Sequence, residues 1–333
     1  MYFLLGICLI FAFLLTLNIC ASVSASVLWR AIARPARHLS SRKQEQIIFA
    51  LRAFPVGAAL VFVFAFVLPA YVLYEPDSSG EVVSIKLALI SLASLLGIGI
   101  AFFRVFRTWQ VTRRLTASWL KHSEPIIVDG VDIPVYRICH PFPVIAVVGM
   151  IRPRMFMASQ IFDSLTDHEF RAAIAHEYGH LIAHDNFKRT FLRVCRDMLI
   201  FPLGRDLDEA WVDNTESAAD EYAARTGGDS MALDLASTLI KIARIAPENG
   251  SPAMPLGSFL IEEHCGDLKR RIQRLVEFSE KRDAGDIPRV NKYKYSVWLC
   301  SGIAVSILMF LATNRGLLLA IHNVSEKVVT ILQ

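Results

Sequence analysis

The chain has 333 residues, is 54% apolar and carries a formal net charge of +4, with a mean hydropathy of +0.42. That balance excludes an ordinary soluble enzyme, because so much apolar surface calls for lipid as well as a protein core. It also argues against a nucleic-acid partner: most of the excess base flanks apolar segments, where it suits anionic lipid, and no aromatic-basic platform accompanies it.

Four segments, residues 3–29, 54–74, 85–103 and 297–313, come near the apolar length of a membrane-spanning helix. The small residues at 21–25 resemble a signal-peptide cleavage site, but nothing basic precedes the first segment, while Arg30, Arg34 and Arg37 follow it. The first span is therefore expected to be an uncleaved anchor with its N-terminus outside. Charge then alternates: residues 30–52 form a basic loop, Glu75, Asp77 and Glu81 mark the next connection, Arg104, Arg107, Arg113 and Arg114 follow the third span, and Lys281, Arg282, Arg289, Lys292 and Lys294 precede the fourth. By the positive-inside rule this is a multi-pass protein of the cell membrane (inner or plasma membrane) with both termini outside and a cytosolic segment, 107–295. The expected division is 1–106 for three spans, 107–295 for one cytosolic domain, and 296–333 for a fourth span and a short external tail. The six cysteines include no C-x-x-C pair, so reduced thiols are expected.

The cytosolic segment is long enough for one hydrophobic core. It opens on short β-branched runs: residues 126–128 and 133–136 around Asp129-Gly130 read as a hairpin, and 144–148 and 155–157 as two further strands. Thr166-Asp167-His168-Glu169 is a capping box, which predicts a helix from there to about His184. A second helix over 187–201 puts Phe187, Phe191, Val194 and Met198 on one stripe, expected to pack on the domain core, with the inner leaflet as the alternative surface. A third helix is expected to be capped by Asp213 or Asn214 and ended by Gly227-Gly228, with Ala218, Ala219, Ala223 and Ala224 keeping it slim. Short strands mixed with helices predict an α+β domain.

The first of these helices carries His176-Glu177-Tyr178-Gly179-His180. Residues four apart on a helix are offset by only about 40° and rise about 6 Å, so His176 and His180 can present two imidazoles to one metal ion. Glu177 beside them is placed to take a proton from metal-activated water and pass it to a leaving amine. Glu216-Ser217-Ala218-Ala219-Asp220, on the third helix, supplies what the motif lacks. Glu216 is the third ligand of a His-His-Glu zinc site of the gluzincin kind, one Zn2+ per chain with a position left open for water. Asp220, one turn on, is suited to accept the free ring N–H of a ligating histidine. His184 shares the stripe but lies about 6 Å too far along the axis to reach the same ion, so it is assigned to the helix surface or to a supporting place behind the ligands. His140 is assigned no role.

On these residues the chain resembles the membrane-embedded zinc endopeptidases of the beta-lactam sensor and antirepressor (BlaR/MecR) type. The likeness covers three spans, a cytosolic zincin segment and a fourth span, the stretch Gly149-Met150-Ile151-Arg152-Pro153-Arg154, and His176 to Asn186 with Asp185 just after the helix. It also covers Glu216 to Asp220 and Leu268-Lys269-Arg270-Arg271-Ile272. A more distant likeness is to the HtpX and CAAX prenyl protease group, which shares the Glu-x-x-Ala-Asp element. The resemblance implies His176, His180 and Glu216 as zinc ligands, Glu177 as the catalytic residue, and Asp185 as a further support. About twenty residues, 314–333, follow the fourth predicted span, so the penicillin-binding sensor of the well-known members is not in this sequence, and antibiotic sensing is not implied. His264 and Arg271 are candidate donors to a developing oxyanion.

The fold class expected is thus a membrane α-helical protein of four spans with a cytosolic zincin-like α+β metallopeptidase domain. The function expected is a zinc metalloendopeptidase acting on cytosolic or membrane-proximal proteins, in signalling or regulated proteolysis. Its partners are a protein or peptide substrate, which includes the chain itself, and the lipid bilayer; no nucleic acid is expected. The competing reading is a catalytically silent zinc-binding scaffold or signalling receptor; Glu177 speaks against it, since a structural zinc is closed by four ligands and needs no base. Substrates are expected to bind extended, as an added strand beside 144–157.

Overall fold

A computed structural model describes residues 2–75, 83–199, 201, 203–227, 230–246, 265–283 and 309–332. Its membrane part is built from α1 (Tyr2–Ala36), α2 (Ser41–Phe62), which continues through a π turn at Val63–Val67 into α3 (Leu68–Tyr74), and α4 (Ile85–Lys121). Each of the three continuous rods is long and apolar enough to cross a membrane. Most of the fourth predicted span, together with Asp77, Glu81 and His264, lies outside the described residues.

The helices run past the apolar windows that announced them. Residues 30–52, expected as a basic loop, are helical except at 37–40, because Arg, Ala, Gln and Ile are good helix formers once a neighbouring helix gives them a surface. That surface is α8 (Arg205–Thr226). Arg30 pairs with Asp206 at 3.0 Å and the buried Arg52 with Asp208 at 2.7 Å, while Ser41 bonds Glu221. Part of the base attributed to lipid contact is therefore matched by protein acids. α4 likewise continues unbroken through residue 107, where the domain boundary was expected.

Four strands form one sheet: β1 (Ser123–Ile126), β2 (Val135–Ile138), β3 (Ile145–Val148) and β4 (Arg154–Ala158), in the order β1-β2-β4-β3. The hairpin is present, with Ile126 opposite Val135 and Gly130 at φ +80 in its turn. β2 and β4 are parallel, and β3 runs antiparallel to β4 at one edge. β3 and nearly all of β4 are buried, packed against α6 (Asp167–Ala183), α9 (Met231–Ile245) and α10 (Cys265–Asp283) through Ala172, Ala173, Leu235, Leu239, Ile242 and Leu275. Each of the large aliphatic side chains contributes roughly 2 kcal/mol by leaving water. A short α5 (Ser159–Ser164) leads from β4 toward α6.

α7 (Asp185–Asp197) departs from its expected packing. It lies against α2 and α4, burying Arg189, Leu192 and Cys195, and leaves Phe187 and Phe191 exposed. The membrane helices cover the face that carries Arg189, Leu192 and Cys195, and Phe191 meets Phe49 of α2 at its rim. Just after α7, Met198 packs with Leu14, Ala59, Val63 and Ile98 inside the helical bundle. A Cβ on Gly97 would come 2.6 Å from the Met198 carbonyl oxygen, so only glycine lets the chain come this close to α4. α8 also starts earlier than expected: Gly204, at φ +79, precedes it, and Asp213 and Asn214 lie in its interior. Its end at Gly227 is as predicted. A last helix, α11 (Arg315–Leu332), occupies the stretch expected as a tail and packs on α3 and α4.

Candidate metal centre

The helix α6 is fastened at both ends. At its start Thr166 Oγ1 accepts from the Glu169 N–H, and Glu169 Oε2 accepts from the Thr166 N–H at 2.8 Å, the reciprocal capping box. Glu169 also receives Lys241 Nζ at 2.7 Å and Ser237 Oγ at 2.6 Å, which ties α6 to α9. Burial would raise the Glu169 carboxyl, but these bonds outweigh it and hold the pKa down at about 2.

At its end His184 takes the left-handed conformation, φ 55, alone among the described non-glycine residues. The consequence is local and specific. The chain reverses within one residue, α7 starts at Asp185, and Asp185 Oδ2 comes back to 2.8 Å from His180 Nδ1. The surface histidine of the sequence reading is thus the corner that aims this carboxylate.

α8 crosses α6 closely at Gly179, where an added Cβ would stand 3.2 Å from Ala219 Cα. The alanine-rich face of α8 is what allows the approach, and Glu216 and Asp220 flank it. Glu216 Oε2 lies 3.6 Å from His176 Nε2, Glu216 Oε1 lies 3.5 Å from His180 Nε2, and the two Nε2 atoms are 3.2 Å apart. Bonds of about 2 Å at tetrahedral angles place ligand atoms roughly 3.3 Å from one another, so all three spacings suit one zinc-sized ion.

The surroundings suit a cation as well. His176 Nδ1 is 2.9 Å from Asp220 Oδ1 and His180 Nδ1 is 2.8 Å from Asp185 Oδ2. Each Nδ1 thus faces a carboxylate, and each Nε2 faces inward toward Glu216. Two Nε2 atoms 3.2 Å apart are matched by a shared proton or by a cation between them. Glu216 is buried, with Oε2 at 3.2 Å from Arg271 Nη1 and Oε1 without a hydrogen-bond partner among the described residues. Burial would lower the His176 pKa, yet the adjacent Asp220 and Glu216 carboxylates raise it, which reports a strongly anionic pocket. Burial would raise the Glu216 carboxyl, but the charges of His180 and Arg271 hold it well below the usual range.

Glu177 is fully buried beside this cluster. Its Oε2 accepts from the Val147 N–H at 3.3 Å, and its Oε1 has no hydrogen-bond partner. Burial, together with the charge of Glu216, pushes its carboxyl up to about 8. Arg271, on α10, holds Asp220 with two bonds, Nε to Oδ2 at 2.9 Å and Nη2 to Oδ1 at 2.8 Å, and reaches Glu216 Oε2 with Nη1 at 3.2 Å. These contacts engage it with Asp220 and with the candidate ligand Glu216. His140 bonds the Phe142 backbone and rests against Trp119.

Three groups here were not singled out by sequence. Asn186 Nδ2 donates to the Val147 carbonyl at 2.9 Å, so this edge residue of β3 has both outward groups engaged, one by Glu177 and one by Asn186. β4 lies inside the sheet, so only β3 offers an edge for the expected substrate strand, and at Val147 that edge is occupied. Glu45 and Arg42, on α2, also reach the centre. Glu45 is fully buried and binds Lys188 at 2.9 Å, Trp211 Nε1 at 3.0 Å and Arg42 at 3.0 Å, while Arg42 and Lys188 each lie 3.8 Å from Asp185 Oδ1. The sequence signal was an acid inside a basic stretch, with nothing local to say what it faces. A cavity of about 830 Å3 lined by Ile127, Phe170, Arg171, Ile174, Tyr178 and Tyr222 shares no residue with the ligand cluster.

Residues 146–207 match the sequence profile of Peptidase family M48. No curated protein matches the chain. The match runs from β3 to the first turn of α8 and contains His176, Glu177 and His180. Glu216 and Asp220 stand beyond its end, so their convergence on the two histidines is a separate, structural observation. Together the match and the apolar helices fit a membrane metalloprotease of the M48 type.

Proposed function

We propose that this chain is a multi-pass membrane zinc endopeptidase, in which His176, His180 and Glu216 hold the ion and Glu177 serves as the proton carrier. The observation that carries the reading is the trio of spacings, 3.2, 3.5 and 3.6 Å, between buried ligand atoms backed by carboxylates. When bound, zinc supplies Lewis-acid activation of water and of the scissile carbonyl.

The chain's own groups do the rest. Asp185 and Asp220 fix the tautomers and ring orientations of the histidines and raise their basicity. Arg271 offsets the charge of Asp220 and Glu216, which lets two carboxylates stand behind one site. Glu177 Oε1, the unpartnered oxygen, receives the proton from water and returns it to the leaving amine, while Oε2 stays anchored on Val147.

The domain faces the cytosol in this reading, with both termini outside, because the basic connections lie on the peptidase side. Met198 among the spans and the exposed Phe187 and Phe191 support membrane-proximal substrates. The likeness to the sensor and antirepressor group supports a role in regulated proteolysis, with the chain itself among its substrates.

The test is metal content and proteolysis measured side by side in the purified full-length protein. Glu177→Gln is expected to keep one zinc and lose cleavage of an unfolded protein substrate by at least about 100-fold. His176→Ala, His180→Ala and Glu216→Ala are expected to lose the zinc. Stoichiometric zinc in all three would overturn the ligand set, and zinc-loaded wild-type protein without cleavage would favour the silent scaffold.

A further inference from the structure

A second set of ligand groups stands at the other end of the helical bundle. Trp29 and Ala36 of α1 pack beside α8, whereas Leu5 and Leu9 of the same helix pack with Tyr71, Leu87 and Val329. More than twenty helical residues separate these ends, roughly 30 Å. At the far end Glu75 closes α3, and α11 crosses over it, with Leu318 against Phe66 and Ala70 and Val329 against α1.

His322 and Glu326 are four residues apart on α11, so one face of that helix offers an imidazole and a carboxylate to the same point. A ligand atom from each of Glu75, His322 and Glu326 lies within 4.8 Å of the other two. The Tyr74 ring rests on His322, centroids 6.0 Å apart, and Tyr74 Oη donates to the Arg315 carbonyl at 3.1 Å, which keeps α11 seated over Glu75.

Glu75 itself points to a ligand. It is 8% exposed, and its Oε2 is buried with no hydrogen-bond partner. It forms no ion pair among the described residues, and it sits at the C-terminal end of a helix, where the peptide dipoles already place negative charge. A second carboxylate, Glu326, faces the same point. A buried carboxylate facing a second, half-buried one is stabilised when a cation joins them.

We propose that Glu75, His322 and Glu326 form a second divalent-cation site that clamps α11 onto α3. One imidazole nitrogen and two carboxylates are a donor set suited to zinc or manganese, and three protein ligands leave room for water. The site shares no residue with the peptidase centre and does not depend on its assignment. Cation binding on this face makes the docking of α11 metal-dependent.

The experiment is zinc titration of the metal-stripped full-length protein in detergent micelles, followed by bound-metal measurement and thermal melting. Wild type is expected to take up one more zinc than Glu75→Gln or His322→Ala, and zinc is expected to raise its melting temperature more than theirs. Glu75→Gln is nearly isosteric and removes an unpaired charge, so its metal-free melting temperature should match or exceed that of wild type. His176→Ala should lose a different equivalent and keep this one. Equal zinc uptake by wild type, Glu75→Gln and His322→Ala up to millimolar zinc would overturn the proposal.

Discussion

Glu45 on α2 and Lys188 on α7 form an ion pair at 2.9 Å, and Lys188 stands 3.8 Å from Asp185, the carboxylate that holds His180. Helix α2 runs on into the second span, so a membrane helix is joined to a proposed ligand of the metal centre through three side chains. Lys188→Met should leave Glu45 buried with fewer partners and lower stability by about 3 kcal/mol. It should also loosen Asp185 and weaken zinc binding about tenfold. Denaturation in micelles and competition with a zinc chelator measure the two effects; unchanged zinc affinity in a destabilised variant would separate the membrane contact from the metal centre.

Asp220→Asn and Asp185→Asn remove the carboxylates behind the two rings without touching a ligand atom. Each should weaken zinc affinity by about 10- to 100-fold while saturation still reaches one ion at this centre. Asp220→Asn should be the more disruptive for folding, because it leaves Arg271 without its two-bond partner. Chelator competition at several zinc concentrations distinguishes lost affinity from lost stoichiometry.

Gly179→Ala tests the helix crossing. The new Cβ would meet Ala219 Cα at 3.2 Å, backbone that cannot swing away, so α6 and α8 must part by a few tenths of an ångström. Glu216 rides on α8, and the ligand spacings widen with it. Zinc affinity and cleavage should fall together, by about tenfold. Gly57→Ala, where nothing lies within 4 Å of the added Cβ, is the control and should leave both unchanged.

The capping box predicts an acid-sensitive step in stability. Glu169 is held at about 2, below its ordinary value of 4.5, so its contribution is complete above pH 4.5 and is lost as pH falls toward 2. Stability therefore rises with pH across that window, by up to about 2 kcal/mol after allowing for solvent screening. Glu169→Gln should remove this part of the slope, as thermal melts between those pH values would reveal. A variant with the wild-type slope would show that other carboxylates govern acid unfolding.

Local signals in the sequence determined much of this protein. Apolar runs located three membrane helices, the Thr166 to Glu169 box located the start of α6, and helix geometry alone put His176 and His180 on one side of it. Those features depend on residues within a few positions of one another, so short-range sterics and hydrogen bonding decide them. What the tertiary structure decided are the relations between distant segments. Residues 30–52 became helix because α8 offered Asp206, Asp208 and Glu221 to their side chains. The Phe187 stripe was left outward because α2 and α4 took the face of α7 that carries Arg189, Leu192 and Cys195. Asp185 reached His180 only through the left-handed corner at His184, and Arg271 became the partner of Asp220 across 51 residues. A charged side chain finds its counter-charge wherever packing brings one within about 4 Å, and packing is a property of the whole chain rather than of any window along it.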